Sequence, residues 1–303
     1  MPIYITSLNS GSNGNCYYVG NDREAVLVDA GISCRETEKR MKRLGLTMQT
    51  VKAIFISHEH GDHIRGVEVL AKKYRLPVYI TGPTLVHGGL NLEDELVKPF
   101  KAHEPVRIGD LSVIAFPKLH DAIEPHSFII SGKEATIGVF TDIGLPCADL
   151  THYFRQCHAA FLETNYDEDM LENGSYPYHL KNRIRGGQGH LSNKQALEFF
   201  RANKPNFMSH LLLSHLSKDN NNPALVQDLF EEHADGTKVI VASRYEETPV
   251  YSIEPVVIDA LVKDPTHARP VENIKSPGQG KHAAIRRPKK NKPGVQNIQT
   301  SLF

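Results

Sequence analysis

Short runs of β-branched and aromatic residues, bounded by Gly, Asn and Asp, open the chain. "IYITSL", "CYYVG" and "AVLVDAG" predict three strands of an antiparallel sheet, joined by tight turns at "SNGN" and "GNDRE". The spacing of Met41, Leu44 and Leu46 in "ETEKRMKRLGL", with a glycine near its end, predicts a helix. "KAIFIS" follows as a buried strand that delivers a histidine-rich loop, and "HIRGVEVLAKKY" continues as a helix. Beyond it "VYIT", "LSVIAF", "SFIIS", "TIGVFTD" and "AAFLET" predict strands, each followed by a polar segment rather than a regular crossover helix. The second half alternates helices in "NKQALEFFRAN" and "PALVQDLFEEHA" with strands in "HLLLSHL" and "KVIVAS". Two sheets face to face with helices outside fit this order better than one parallel sheet.

Bulk composition agrees with a globular chain: 303 residues with 40% apolar content suffice for a sizeable core. A net charge of zero conceals an asymmetry, because the segment from Asn273 to Phe303 holds seven Lys and Arg and no Asp or Glu. The remainder is therefore acidic. Composition breaks between Asp264 and Asn273, which predicts a folded domain over 1–265 and a flexible, disordered basic tail over 266–303. Cys16, Cys34, Cys147 and Cys157 fall at no metal or redox spacing and are expected to be reduced, buried thiols. The first residues lack a charged region followed by an apolar one, and no run approaches a membrane span, so a cytoplasmic protein without membrane contact is expected.

The chemistry concentrates in "HEHGDH", which places His58, His60, Asp62 and His63 at a strand end and the start of a helix. Histidines two apart at a strand end point the same way, and the turn that opens the helix adds a carboxylate and a third imidazole. Such a set without Cys suits Zn²⁺, Mn²⁺ or Fe²⁺ better than a merely solvated loop.

At these residues the chain resembles the metallo-β-lactamase superfamily, whose HxHxDH signature is matched in full. The resemblance implies an α/β fold, a four-layer αββα sandwich with its metal site at one edge of the sheets. It continues through "PKLHDA", "VFTDIG" and "LLLSHLS", which supply His120, Asp142 and His215. On that match His58, His60 and His120 would hold one divalent ion, Asp62, His63 and His215 a second, and Asp142 would bridge them. Asp142 stands where β-lactamases with two filled sites carry Cys, and Cys147 does not replace it. The implied reaction is hydrolysis by a water activated between two Zn²⁺ or Mn²⁺ ions, which are expected roughly 3.5–4 Å apart. Asp29 in "LVDAG" matches a buried structural Asp of the superfamily.

"AFLETNYDEDML" and "GGQGHLSNKQ" resemble the Glu and Gly-His-Ser motifs of RNase Z-type nucleases. Carried over, Glu163 would orient His190, and His190 would donate a proton to the departing oxygen, with Asp62 the third catalytic residue. The alternative is that His190 caps the helix beginning at "LSNKQ", a role Ser192 or Asn193 fills more conventionally. Between these motifs Tyr176, Tyr178, Lys181, Arg183 and Arg185 interleave aromatic and basic groups, a pattern suited to a phosphodiester backbone or to a plain solvated face. Arg244 is a further candidate phosphate contact.

Together with "SGSNGNCYYVG" and "HLSKDNNNP", these segments resemble the WalJ (YycJ) group of bacterial DNA exonucleases. That resemblance implies DNA as substrate, 5′ to 3′ polarity and a place in mismatch repair. His126 departs from the group's pattern and is either a substrate contact or a harmless surface change. A long insertion between Asp142 and His215, as in β-CASP ribonucleases, is lacking, which weakens a ribonuclease alternative. A hydrolase of small phosphodiesters or thioesters remains the competing class. The closing "QTSLF" matches, at Gln299, Leu302 and Phe303, the Gln-x-x-Leu-Phe pattern of peptides that dock on the bacterial DNA sliding clamp. A flexible basic linker before such a peptide would raise its local concentration at the clamp.

Overall fold

The structure, a computed structural model, describes residues 1–254. The tail boundary, the basic run and the Gln299, Leu302 and Phe303 motif lie outside the described residues. In chain order the elements are β1 (Ile3–Asn9), β2 (Cys16–Gly20), β3 (Ala25–Val28), α1 (Cys34–Arg43), β4 (Val51–Phe55), α2 (Gly61–Ile64), α3 (Val67–Tyr74), β5 (Val78–Tyr79), α4 (Gly82–His87) and β6 (Val97–Lys98). There follow β7 (Pro105–Ile108), β8 (Leu111–Pro117), β9 (His126–Ser131), β10 (Thr136–Phe140), α5 (Ala148–Phe154), β11 (Ala159–Glu163), α6 (Glu168–Asn173), α7 (Tyr178–Arg185), α8 (Asn193–Asn203), β12 (His210–Ser214), α9 (Pro223–Glu231), β13 (Lys238–Val241) and β14 (Tyr251–Ile253).

The strands form two seven-stranded sheets, ordered β14-β1-β2-β3-β4-β5-β6 and β13-β12-β11-β10-β9-β8-β7. Each is half antiparallel and half parallel: pairing is antiparallel from β14 to β3 and from β7 to β10, and parallel from β3 to β6 and from β10 to β13. Period-two alternation explains the layers. In β2 and β3, Tyr17, Val19, Val26 and Val28 face the opposite sheet, whereas Cys16, Tyr18, Ala25 and Leu27 face α1 and α3. In β11 and β12, Ala159, Phe161 and Leu212 meet the first sheet, and Ala160, Leu162, Leu211 and Leu213 pack with α5, α8 and α9. Strands buried on both faces must be apolar at every position, so they read as unbroken hydrophobic runs. Tyr17, Phe55, Phe128 and Phe161 in the middle layer are each at most 1% exposed, and burial of one such side chain contributes about 1.5–3 kcal/mol. The result is the expected αββα sandwich.

One expectation from the sequence fails. Parallel neighbours need crossover connections, and helices supply them: α4 after β5, α5 between β10 and β11, and α6 to α8 between β11 and β12. These helices are short and weakly patterned. α5 buries only Leu150 and Phe154, and its N-cap is Cys147, whose Sγ accepts from Leu150 N, a cap that propensity does not flag. Cys147 is accordingly half-buried, unlike the other three thiols.

Candidate metal centre

The parallel strands of both sheets end at one edge, and the chemistry gathers there, as the carboxyl ends of parallel strands favour. Asp29 follows β3, His58 follows β4, Asp142 follows β10, Glu163 closes β11 and His215 follows β12. His120 comes from the loop after β8, and α2 carries Asp62 and His63. Three of these side chains sit on left-handed backbone, with φ of 61° at Asp29, 56° at Asp142 and 59° at His215. That conformation costs a non-glycine residue about 1–2 kcal/mol, and here it turns each side chain off its strand into the shared edge. The His-rich loop is pressed onto the end of β3 so closely that a Cβ on Gly31 would lie 1.7 Å from the Asp62 carbonyl oxygen.

Ligand-type atoms gather within 4.8 Å in four overlapping groups: His58, His60 and His120; Asp62, His63 and His215; His58, His63 and Asp142; and Asp142, Glu163, His190 and His215. In the first, His60 Nδ1 lies 3.0 Å from His58 Nε2 and 3.3 Å from His120 Nε2. In the second, Asp62 Oδ2 lies 3.6 Å from His63 Nε2 and 3.4 Å from His215 Nε2. Asp142 stands between them, with Oδ2 3.3 Å from His63 Nε2 and Oδ1 3.8 Å from His120 Nε2. Its Oδ2 is buried without a hydrogen-bond partner among the described residues, a carboxylate oxygen open to a cation.

The surrounding groups orient the imidazoles. Asp29 Oδ2 lies 2.7 Å from His63 Nδ1 and accepts from Ser57 Oγ at 2.8 Å, and that hydroxyl also lies 2.8 Å from His58 Nδ1. The Gly189 carbonyl lies 3.0 Å from His120 Nδ1. Such partners on the far nitrogen fix a ligand's tautomer and leave Nε2 facing the centre. Asn15 Nδ2 reaches both Asp62 Oδ2, at 3.2 Å, and His63 Nε2, at 3.1 Å, and the Tyr17 hydroxyl donates to Asn15 Oδ1 at 3.1 Å. Asn15, Ser57 and Asn165, which donates to the His215 carbonyl, escaped the sequence reading. Asn15 lies in the "SNGN" stretch, which predicts a turn.

Electrostatics match a cation site. Burial alone would lower His63 and His215, yet Asp142 and its neighbouring carboxylates hold His63 well above the usual histidine range and raise His215 to about 10. Asp62, which burial would raise, is held down to about 2 chiefly by His63. His58 and His60 are pushed down by burial, and burial takes His120 to about 4 although Asp142 opposes it. The donor set, the unpaired Asp142 oxygen and the crowded negative charge all fit divalent metal ions.

Both oxygens of Glu163 are engaged by the protein. Its Oε2 accepts from Ile143 N at 2.7 Å and Leu191 N at 3.2 Å, while Oε1 lies 2.8 Å from His190 Nδ1 and 2.9 Å from His215 Nδ1. Burial would raise this carboxyl, but His190 and His215 bring it to about 2. His190 thus has Nδ1 engaged and no partner for Nε2 among the described residues, and it lines the cleft with Asp62, Asp142 and His215. It does not cap α8. Ser192 Oγ accepts from Gln195 N and Gln195 Oε1 from Ser192 N, a complete capping box.

The basic candidates divide. Arg183 and Tyr176 line the same cleft, of about 400 Å³, with Arg183 paired to Asp121 and the Tyr176 hydroxyl donating to Asp219. Lys181 donates to the Glu172 carbonyl, Arg185 pairs with the Glu172 carboxylate, and neither lines the cleft. Arg244 Nη2 donates to Ser12 Oγ at 3.2 Å, and Ser12 is on the cleft wall. His126 is no surface change: it is 5% exposed, its ring packs edge-on against Phe100, and its N–H donates to the Ser57 carbonyl under the metal loop. No helix among the described residues is long and apolar enough to cross a membrane.

A model of the β-lactamase superfamily domain matches residues 24–215. The chain is 35% identical over 243 residues to the exodeoxyribonuclease YycJ of Bacillus anthracis, a match covering 78% of this chain and 92% of that one. It is 31% identical over 221 residues to the exodeoxyribonuclease WalJ of Streptococcus pneumoniae, covering 71% and 81% respectively. Among solved structures, the metallo-β-lactamase fold protein YhfI from Bacillus subtilis superposes with a TM-score of 0.64 at 16% identity, covering 83% of this chain and 100% of that one.

Proposed function

This chain belongs to the metallo-β-lactamase superfamily, in the WalJ/YycJ-like group, and is a metal-dependent hydrolase; from that premise we propose that it is a DNA exonuclease. The observation that carries the reading is the Glu163–His190 pair at the cleft wall, beside Asp142 and His215. A phosphodiester's leaving alkoxide is poor unless protonated, and a histidine with Nδ1 held by a buried carboxylate and Nε2 free can deliver that proton. Relatives of this chain over most of their length are named as exodeoxyribonucleases, which supports DNA over a small ester.

His58, His60 and His120 would hold one divalent ion and Asp62, His63 and His215 another, with Asp142 shared. Bound there, two such ions supply an activated water and neutralise charge on the attacked phosphate. The chain's own residues do the rest. Asp29, Ser57 and Asn15 keep His63, His58 and Asp62 aimed at the centre. Asp62, held ionised, offers its second oxygen to orient the attacking water, and Glu163 Oε1 fixes the His190 ring through Nδ1. Arg183 and Tyr176 flank the path along which a strand would enter.

The finer proposals are 5′ to 3′ polarity, a role in mismatch repair in the cytoplasm, Zn²⁺ or Mn²⁺ as the ion, and docking on a DNA sliding clamp through Gln299, Leu302 and Phe303. The deciding experiment offers the purified chain, with Mn²⁺ or Zn²⁺ in turn, duplexes labelled at either end, the same sequence as RNA, and a chromogenic phosphodiester. Mononucleotide release from the 5′ end of DNA is the expected result. Turnover confined to the small ester or to RNA would refute it.

A further inference from the structure

Next to the metal cleft lies a second cavity, of about 230 Å³, and Ser217 lines both. Its floor is apolar, formed by Leu216, Pro223 and Val241, while Lys218, Arg244 and Tyr245 supply its polar and aromatic walls. Among the described residues no Asp or Glu lines it. Two features are unexplained by the fold. Arg244 Nη2 donates to Ser12 at the cleft, but its Nη1 is buried with no acceptor among the described residues. A buried guanidinium nitrogen left unpaired is costly, and a phosphate oxygen is the acceptor whose geometry and charge match it. Tyr245, in addition, is 73% exposed beside this cavity. An exposed aromatic face next to an apolar floor and two cations fits a nucleobase and its phosphate.

We propose that this cavity is a subsite for one nucleotide of the substrate strand, next to the one being cleaved. Its base rests on the floor against Tyr245, and its phosphate lies between Arg244 and Lys218. A bare anion site would not need the apolar floor, and an apolar ligand would leave Arg244 Nη1 unpaired. The volume is below the usual range for drug-sized ligands and suits a single ring system. This assignment deepens the reading of the neighbouring cleft as a DNA phosphodiesterase site and rests on it for the identity of the strand.

The test compares the full chain with Lys218→Ala, Tyr245→Ala and Arg244→Met. Lys218 and Tyr245 are exposed, so their variants report even if Arg244→Met, which also loses the Ser12 contact, proves unstable. Turnover of duplex DNA relative to a chromogenic phosphodiester should fall roughly tenfold through KM in Tyr245→Ala, because stacking on one aromatic ring is worth about that factor, and should also fall through KM in Lys218→Ala and Arg244→Met, which each remove a phosphate contact. Independently, titration with deoxyadenosine monophosphate should show saturable binding that weakens in Tyr245→Ala and Arg244→Met. Variants with wild-type DNA KM and wild-type nucleotide binding overturn the subsite. Inorganic phosphate binding as tightly as the nucleotide, with Tyr245→Ala silent, reduces it to an anion site and also overturns it. If the wild type degrades no DNA yet binds the nucleotide through Arg244 and Tyr245, the nuclease reading falls and the subsite stands.

Discussion

Replacing His190 with alanine separates proton donation from metal binding. Among the described residues the His190 ring hydrogen-bonds only Glu163 Oε1, at 2.8 Å, and its Nδ1 lies 3.9 Å from Asp142 Oδ1. After removal, Glu163 still accepts from Ile143 N, Leu191 N and His215 Nδ1, so the buried carboxylate stays satisfied. The stability lost is one charge-assisted hydrogen bond, about 1.5–3 kcal/mol. General acid catalysis contributes about 10²–10⁴ in rate, so kcat on DNA should fall by that factor. A p-nitrophenyl phosphodiester, whose leaving group needs no proton, should lose less than about tenfold. Glu163→Gln provides the contrast. If the amide oxygen keeps the two backbone donors, its NH₂ faces both imidazole Nδ1 atoms and forces their protons onto Nε2. For His215 that nitrogen faces Asp62, so this variant should lose bound metal and slow both substrates. The assay is steady-state turnover of the two substrates with metal content measured on the same samples. Equal losses on DNA and the aryl ester in His190→Ala, with metal retained, would refute the proton-donor role.

The remaining expectations follow from the same geometry. Asp142→Ala removes the carboxylate between the two ligand groups. It should lower bound metal by elemental analysis and abolish turnover while circular dichroism stays native, and a fully active variant would overturn the ligand assignment. Gly31→Ala would drive a methyl group into the Asp62 carbonyl and must push the loop away by more than 1 Å, a displacement on the scale that costs about 10²-fold in rate; unchanged kcat would refute this close approach. Deleting residues 299–303 should remove binding to a DNA sliding clamp in a pull-down while hydrolysis of short duplexes persists, and intact clamp binding would end that proposal.

Much of this protein is written locally. Continuous apolar runs such as "AVLV" and "HLLLS" announce strands buried on both faces, and the six residues of "HEHGDH" already hold four of the clustered side chains. His120, Asp142 and His215 could be placed only by resemblance, since nothing in their own spacing links them to the first motif. What tertiary structure alone decided depends on contacts across the two sheets. It set the left-handed turns at Asp29, Asp142 and His215, Asn15 beneath Asp62 and His63, and Glu163 shared between His190 and His215. It turned Lys181 and Arg185 toward Glu172, leaving Arg183 on the cleft, because helix phase and end packing choose which of several neighbouring cations face inward. It opened the cavity at Arg244, where a turn from the first sheet meets the end of β13. Periodicity records which face of an element is buried, but not which residue from a distant segment will meet it there.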